Sequence, residues 1–208
     1  MILYSYWRSS AAYRVRIALA WKGIGYEVRP VDLRAGAHRD AEYLSVNPQG
    51  LVPCLIDGDA VISQSLAIIE YLEERHPEPA LLPKDSAQRA KVRGAAQVIA
   101  ADIHPINNLR VLNYLKSTCG QDQASLDRWI THWIAEGFAT LEASAGAPYL
   151  FGDNVTMADL CLVPQFYNAR RFGVDMSPYP KLSAVEGNLL GLPAFAAAHP
   201  DKQPDADR

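Results

Sequence analysis

The spacing of hydrophobic positions changes along the chain. Over residues 1–80, short apolar runs rich in β-formers alternate with stretches of helical period. Residues 2–6 (ILYSY) read as a strand. A helix is expected over 11–22, capped by Ser9 or Ser10 and stopped by Gly23. Residues 26–33 (YEVRPVDL) are strand-like, and Pro30 puts that strand at a sheet edge or ends it, because proline has no N–H to give a neighbour. Asn47-Pro48-Gln49-Gly50 is a turn, and residues 51–56 and 60–62 flank Asp57-Gly58-Asp59 as a β-hairpin. Leu66, Ile69 and Leu72, widened by Ala67, Ile68 and Tyr71, mark a helix over 65–75.

Residues 76–83 (HPEPALLP) contain three prolines, which break any helix and make a linker. No strand pattern follows. Residues 87–116, 123–143, 157–171 and 181–190 have helical period, a short helix fits 193–199, and the polar tail 200–208 is expected to fray. Pro105 should disturb the first of these helices, because its ring meets the carbonyl of Ala101. Thr156-Met157-Ala158-Asp159 has the form of a capping box with Asp in place of Glu, and Val155 and Leu160 suit the hydrophobic staple. The expected architecture is a small four-stranded α/β domain over 1–80 followed by an all-helical domain over 87–208.

Composition narrows the function classes. The 208 residues are 49% hydrophobic and 21% charged, as in a globular protein. A net charge of −3 shows no basic excess for nucleic acid. No apolar run approaches the ~20 residues of a membrane span, and the start Met1-Ile2-Leu3-Tyr4 does not read as a signal peptide. Three cysteines, Cys54, Cys119 and Cys161, with no CxxC spacing, argue against a disulfide framework or a cysteine zinc site. His38, His132 and His199 have no metal-ligand spacing, and Trp129 and Trp133 suit helix packing. The chain is expected to work in a reducing compartment, the cytoplasm.

Three loops carry candidate chemistry. In Tyr4-Ser5-Tyr6-Trp7-Arg8-Ser9-Ser10 a strand runs into a helix N-terminus, where backbone N–H groups stabilise anions and lower the pKa of a thiol. Ser9 or Ser10 can donate to a thiolate there, or simply cap the helix. No cysteine lies in Ser9-Ser10-Ala11-Ala12, so a sulfur acting at this end must come from a ligand. Val52-Pro53 is the second loop; Pro53 is either an ordinary trans proline or a cis one that turns backbone groups toward a ligand. Gln64-Ser65, at the start of the second helix, offers amides, a hydroxyl and a carboxamide to a carboxylate and amine, or is a plain cap.

The run Ser9-Ser10-Ala11-Ala12-Tyr13-Arg14-Val15-Arg16-Ile17-Ala18-Leu19 resembles the S-S-C-x-W-R-V-R-I-A-L segment of zeta-class glutathione transferases. Asn47-Pro48-Gln49-Gly50-Leu51-Val52-Pro53 and Gln64-Ser65-Leu66-Ala67-Ile68-Ile69-Glu70-Tyr71-Leu72 are similar to that family's glutathione-site segments. Asp102-Ile103-His104-Pro105-Ile106-Asn107-Asn108, Asn168-Ala169-Arg170-Arg171-Phe172, Val174-Asp175 and Pro178-Tyr179-Pro180 extend the resemblance over nearly the whole chain. Two departures stand out: the family's cysteine is Ala11 here, and its tryptophan is Tyr13.

The resemblance implies a thioredoxin-like N-terminal domain, an all-α C-terminal domain, a cis Pro53 and a homodimer. It implies glutathione as the cofactor, held by Gln49, Val52 (through its backbone), Pro53, Gln64 and Ser65, with His104 and Asn108 as further contacts. The implied activity is that of the maleylacetoacetate and maleylpyruvate isomerases: cis–trans isomerisation of a maleyl diketo acid by reversible addition of the glutathione thiolate. Ser9 or Ser10 would stabilise the thiolate, with Ser10 favoured for its place nearer the helix amides. Arg8, Arg110 and Arg171 would hold the charges of a dianionic substrate; for Arg170 a surface ion pair is the stronger reading. His104 and Asn108, at i and i+4, are expected on one helix face. None of the cysteines is expected to be catalytic, and no metal is expected. A broad glutathione transferase or dehalogenase on the same fold, or a non-catalytic binding protein that retains it, are the alternatives.

Overall fold

The computed structural model describes residues 1–206. Two compact units emerge, one formed by Met1–Leu81 together with the chain from Gly191 on, the other by Leu82–Leu190. The break falls inside the proline-rich linker, as the sequence indicates.

The first unit is built on a four-stranded sheet of order β2-β1-β3-β4. Its strands are β1 (Ile2–Ser5), β2 (Glu27–Pro30), β3 (Cys54–Asp57) and β4 (Ala60–Ser63). β1 runs parallel to β2, with Leu3 opposite Val28, and antiparallel to β3, with Leu3 opposite Leu55. Gly58, at φ 59°, turns the β3–β4 hairpin. Pro30 sits in the outer strand β2, where a missing donor costs the ladder nothing. β2 is shorter than the expected 26–33, because the Asp32 carboxylate accepts from the amides of Arg34 and Ala35 and turns the chain.

Helices α1 (Ser10–Trp21) and α3 (Ser65–Arg75) pack against each other, with Val15, Ile17, Leu19, Ile68, Ile69 and Leu72 fully buried. A short helix, α2 (Ala41–Val46), follows a 3₁₀ turn at Ala37–Arg39 and buries Tyr43; the sequence pattern did not indicate it, because six residues hold too little periodicity.

The second unit contains α4 (Ser86–Gln97), α5 (Leu109–Ser117), α6 (Gln123–Ser144), α7 (Met157–Arg171) and α8 (Pro180–Leu190). The helix expected over 87–116 is therefore divided. After α4 the backbone widens into a π-helical stretch, Val98–Ile103, and α5 begins only beyond Pro105. Gly137 in α6 lies against that stretch: a Cβ there would stand 2.2 Å from the Ile103 side chain. Phe138 stacks on Phe166 at 4.9 Å and meets Tyr179 edge-on at 5.5 Å in the core. The capping box forms at α7, where the Asp159 carboxylate accepts from the Thr156 amide and hydroxyl and from the Leu150 amide. Burial pushes the Asp159 carboxyl upward against these bonds.

The C-terminal segment departs from expectation. Helix α9 (Pro193–Ala198) packs on α1, so the chain from Gly191 on joins the first unit rather than closing a domain that runs to 208. Nor is the tail frayed as far as it is described: Pro200–Lys202 is a 3₁₀ turn, and the Asp205 carboxylate accepts from the Trp7 amide at 2.9 Å. The last two residues of the expected frayed tail lie outside the described residues. Among the described residues, no helix is long and apolar enough to cross a membrane.

Candidate active site

The first unit brings the three candidate loops into one place. Ser9 ends the β1–α1 loop as the N-cap of α1, with its Oγ accepting from the Ala12 amide at 3.2 Å. That bond uses a lone pair and leaves the hydroxyl proton to donate. Ser10 is the first helical residue and is 5% exposed, whereas Ser9 is more open. Of the two hydroxyls, that of Ser9 is the more open to a ligand. Arg8, part-exposed, has its guanidinium 5.3 Å from the centre of the Trp7 ring.

The Asn47–Gly50 turn is closed by the Gly50 amide donating to the Asn47 carbonyl at 2.9 Å. Gly50 has φ 60°, and a Cβ there would stand 2.8 Å from the His38 carbonyl, so the position requires glycine. The buried Asn47 side chain donates to the Leu51 carbonyl at 2.7 Å and accepts from the Gln49 amide at 3.2 Å. The Tyr43 hydroxyl donates to the same Leu51 carbonyl, and burial pushes its pKa up to about 12. These bonds present Gln49 and Val52, and the Val52–Pro53 peptide is cis, as the resemblance implies. Two further cis bonds, Glu78–Pro79 and Ala147–Pro148, were not anticipated.

At α3 the N-cap is Gln64, with φ 73° and ψ 120°, and its side chain does not cap the helix. It donates instead to the Gln49 side-chain oxygen at 3.0 Å. A non-glycine residue held at positive φ stores strain of ~1–3 kcal/mol, and such residues cluster at functional sites. The first amides of α3 are left for an anion. Ser65, first in that helix and buried, accepts from Arg14 Nη1 at 3.2 Å. Arg14 was not among the candidates, although two arginines in the apolar run Tyr13-Arg14-Val15-Arg16-Ile17 were a usable sign: both are buried, at 1% and 0% exposure, and a buried guanidinium needs partners.

The second unit positions its candidates differently from expectation. Asn108 is not on a helix face with His104. It is the N-cap of α5, at φ −69° and ψ 149°, and its side chain accepts from the Arg110 amide at 3.1 Å. Pro105 ends the helical geometry between them, so the i, i+4 relation is corrected. The neighbouring Asn107 is buried, and its side-chain oxygen and nitrogen both lack a hydrogen-bond partner. Nothing in the sequence separates these two asparagines. Arg110 and Arg171 are exposed, and Arg171 lies 4.5 Å over the Phe172 ring. Arg170 is engaged by the buried Glu186 in a two-point pair of 2.5 and 2.6 Å. Burial raises the Glu186 carboxyl, and Arg170 opposes that shift.

Cys54 and Cys161 are buried, Cys119 is exposed, and none of the three is in a disulfide. Burial pushes the Cys54 thiol up, away from a reactive thiolate. Among the described residues there is no cluster of His, Cys, Asp or Glu able to hold a metal ion.

The model of the glutathione S-transferase N-terminal domain matches residues 1–74, and that of the C-terminal domain matches residues 123–185. The chain is 51% identical to a probable maleylacetoacetate isomerase of Vibrio cholerae, over 99% of this chain and 98% of the relative. A solved holo structure of a maleylpyruvate isomerase, described as a bacterial glutathione S-transferase of the zeta class, is 47% identical and superposes with a TM-score of 0.97 over 100% of both chains. A maleylacetoacetate isomerase from Methylobacterium extorquens AM1, solved with bound malonate and glutathione, is 40% identical with a TM-score of 0.96, again over 100% of both.

Proposed function

The chain belongs to the zeta class of the glutathione S-transferase family, and from that premise we propose how it works as a glutathione-dependent cis–trans isomerase of a maleyl diketo acid. The observation that carries the reading is the uncapped N-terminus of α3, held beside the Asn47–Gly50 turn by the Gln64–Gln49 bond. Free helix amides, the Ser65 hydroxyl and two carboxamides fit the carboxylate and amine of a peptide-like cofactor.

Glutathione supplies a thiolate that adds reversibly to the substrate double bond and so allows rotation about it. The protein's own residues do the rest. Gln49, the Val52 backbone, Gln64 and Ser65 bind the cofactor, with His104 as the further contact that the resemblance implies. Ser9 donates its hydroxyl proton to the sulfur while the α1 amides add positive potential, which keeps the thiol ionised. Arg8 takes the negative charge that develops on the substrate, and Arg171 takes a carboxylate, with Arg110 as a further cation. Ala11 in place of the family's cysteine removes no group that this chemistry requires.

Turnover of maleylacetoacetate and of maleylpyruvate, each with and without glutathione, tests the proposal; no turnover of either with glutathione present would refute it. We assign the protein to the cytoplasm as a homodimer, and a mass near 23 kDa by light scattering at micromolar concentration would contradict the dimer.

A further inference from the structure

The β1–α1 loop is held from two sides by groups outside the glutathione contacts. Tyr6–Ser9 forms a turn closed by the Ser9 amide donating to the Tyr6 carbonyl at 2.9 Å, with Trp7 and Arg8 at its tip. Both backbone polar groups of Trp7 are engaged. Its amide donates to Asp205 Oδ2 in the C-terminal tail at 2.9 Å. Its carbonyl accepts from Arg16 Nη2 at 2.9 Å. The same guanidinium donates through Nη1 to the Ser5 hydroxyl at 3.2 Å and the Tyr6 carbonyl at 3.4 Å, and through Nε to the Ala198 carbonyl of α9 at 3.1 Å. Arg16 is fully buried, so these bonds lie away from competing water.

This arrangement exceeds what helix packing alone requires. An apolar residue at position 16 would pack α1 on α9, whereas a buried guanidinium is costly unless its donors are met. Here they are met by the Ser5 hydroxyl at the end of β1, by the turn that precedes Ser9 and by the last carbonyl of α9. Because a turn closed at its base can still rotate as a unit, two fixed points on the Trp7 peptide are what decide its orientation. That orientation sets where the Arg8 side chain and the Ser9 hydroxyl point.

We infer that Arg16 and Asp205 are positioning residues, clamping the Trp7 peptide between α1 and the C-terminal tail so that Ser9 and Arg8 are held in the geometry their chemistry needs. The inference rests on the glutathione reading of the site. Errors of about 1 Å in such geometry cost up to ~100-fold in rate, so the tail is part of the active-site loop's support.

The test uses the full chain with Asp205→Ala, Asp205→Asn and, as a control on the same tail, Lys202→Ala, whose side chain is exposed. Three quantities are followed: amide hydrogen exchange at Trp7 without glutathione, the pKa of bound glutathione read from thiolate absorbance, and kcat/KM on the maleyl substrate. Asp205→Ala should speed Trp7 exchange and lower kcat/KM by about tenfold each, and raise the thiol pKa, with the melting temperature nearly unchanged. Asp205→Asn should recover most of the loss, because its amide oxygen still accepts from Trp7, and Lys202→Ala should behave as the parent. Parent-like thiol pKa and kcat/KM in Asp205→Ala, despite faster Trp7 exchange, would overturn the clamp, and so would unchanged Trp7 exchange. If maleyl compounds are not turned over at all, the isomerase reading fails alone, and the exchange and thiol-pKa arms still decide the clamp. Should Asp205→Ala not fold, failure of Asp205→Asn to keep parent-like exchange and thiol pKa would overturn it instead.

Discussion

The side-chain amide of Gln64 donates to the side-chain oxygen of Gln49 across 3.0 Å, although the two residues belong to different loops. The bond explains why Gln64 does not cap its own helix: its side chain is turned toward the Asn47–Gly50 turn, and the strained backbone at φ 73° is what turns it there.

Replacing Gln64 by Ala should weaken glutathione binding by ~1–3 kcal/mol, the range for a hydrogen bond to a charged group. Gln64→Gly should bind as weakly as Gln64→Ala, yet be the more stable of the two by up to ~1 kcal/mol, because glycine tolerates positive φ. Calorimetric titration and thermal melting measure the two effects, and unchanged glutathione affinity in both variants would remove Gln64 from the site.

Ser9→Ala removes a cap and a thiolate donor together. It should destabilise the fold by ~1 kcal/mol and raise the thiol pKa, so that the acidic limb of the pH–rate profile moves upward and activity recovers at high pH. Ser10→Ala, at the more enclosed position, should move the limb less. A limb that stays in place in both variants leaves thiolate stabilisation to the helix amides alone.

The adjacent arginines Arg170 and Arg171 should fail in different ways. Arg171→Ala should raise KM strongly with little change in kcat, as loss of uniform carboxylate binding does. Arg170→Ala should leave KM alone and cost stability of about 1 kcal/mol near neutral pH, a modest figure because the Arg170 side chain is 52% exposed. The pH dependence follows from Glu186, whose folded carboxyl lies above its ordinary 4.5 even with Arg170 present. A raised acid is fully compatible with the fold below 4.5, and stability falls as pH rises through the folded value. Without Arg170 the rise is larger, so the variant should lose more stability at pH 7 than at pH 4. Melting curves at both pH values decide it. Arg8→Ala, by contrast, should lower kcat more than it raises KM, if its charge meets the substrate only as negative charge develops.

A protein with Cys54, Cys119 and Cys161 all replaced by Ser should still require glutathione and keep most of its isomerase rate, provided it folds. Glutathione-independent turnover in the parent that disappears in the triple variant would return a protein thiol to the mechanism.

The legible parts of the fold share a cause. α3 begins at Ser65 and ends at Arg75, and α7 spans Met157–Arg171, as their local patterns indicate, because each carries its stripe and its start signal within one segment. The capping box of Thr156 and Asp159 was readable for the same reason. α2 was not, being too short to show a period, and the division near residue 98 was only half visible, since Pro105 announces a disturbance without its extent. Spacing pairs Asn108 with His104, but spacing means nothing once the helix between them ends.

The sequence alone determined the α/β order, the linker, the placing of Pro30 at a sheet edge or a strand end, the absence of a cysteine at the first helix end, and the resemblance that marked the cofactor loops. Those properties reside in neighbouring residues or in runs of them, where local sterics and periodicity act. Only the tertiary structure decided that Gln64 meets Gln49, that Arg14 reaches Ser65, and that Glu186 holds Arg170 while Arg171 remains outside that pair. It alone placed the tail on the active-site loop through Asp205 and Trp7, which are 198 positions apart. Such contacts depend on which buried donors and acceptors packing leaves facing each other, and no local pattern encodes the partner of a guanidinium whose acceptors come from β1, the loop after it, and α9.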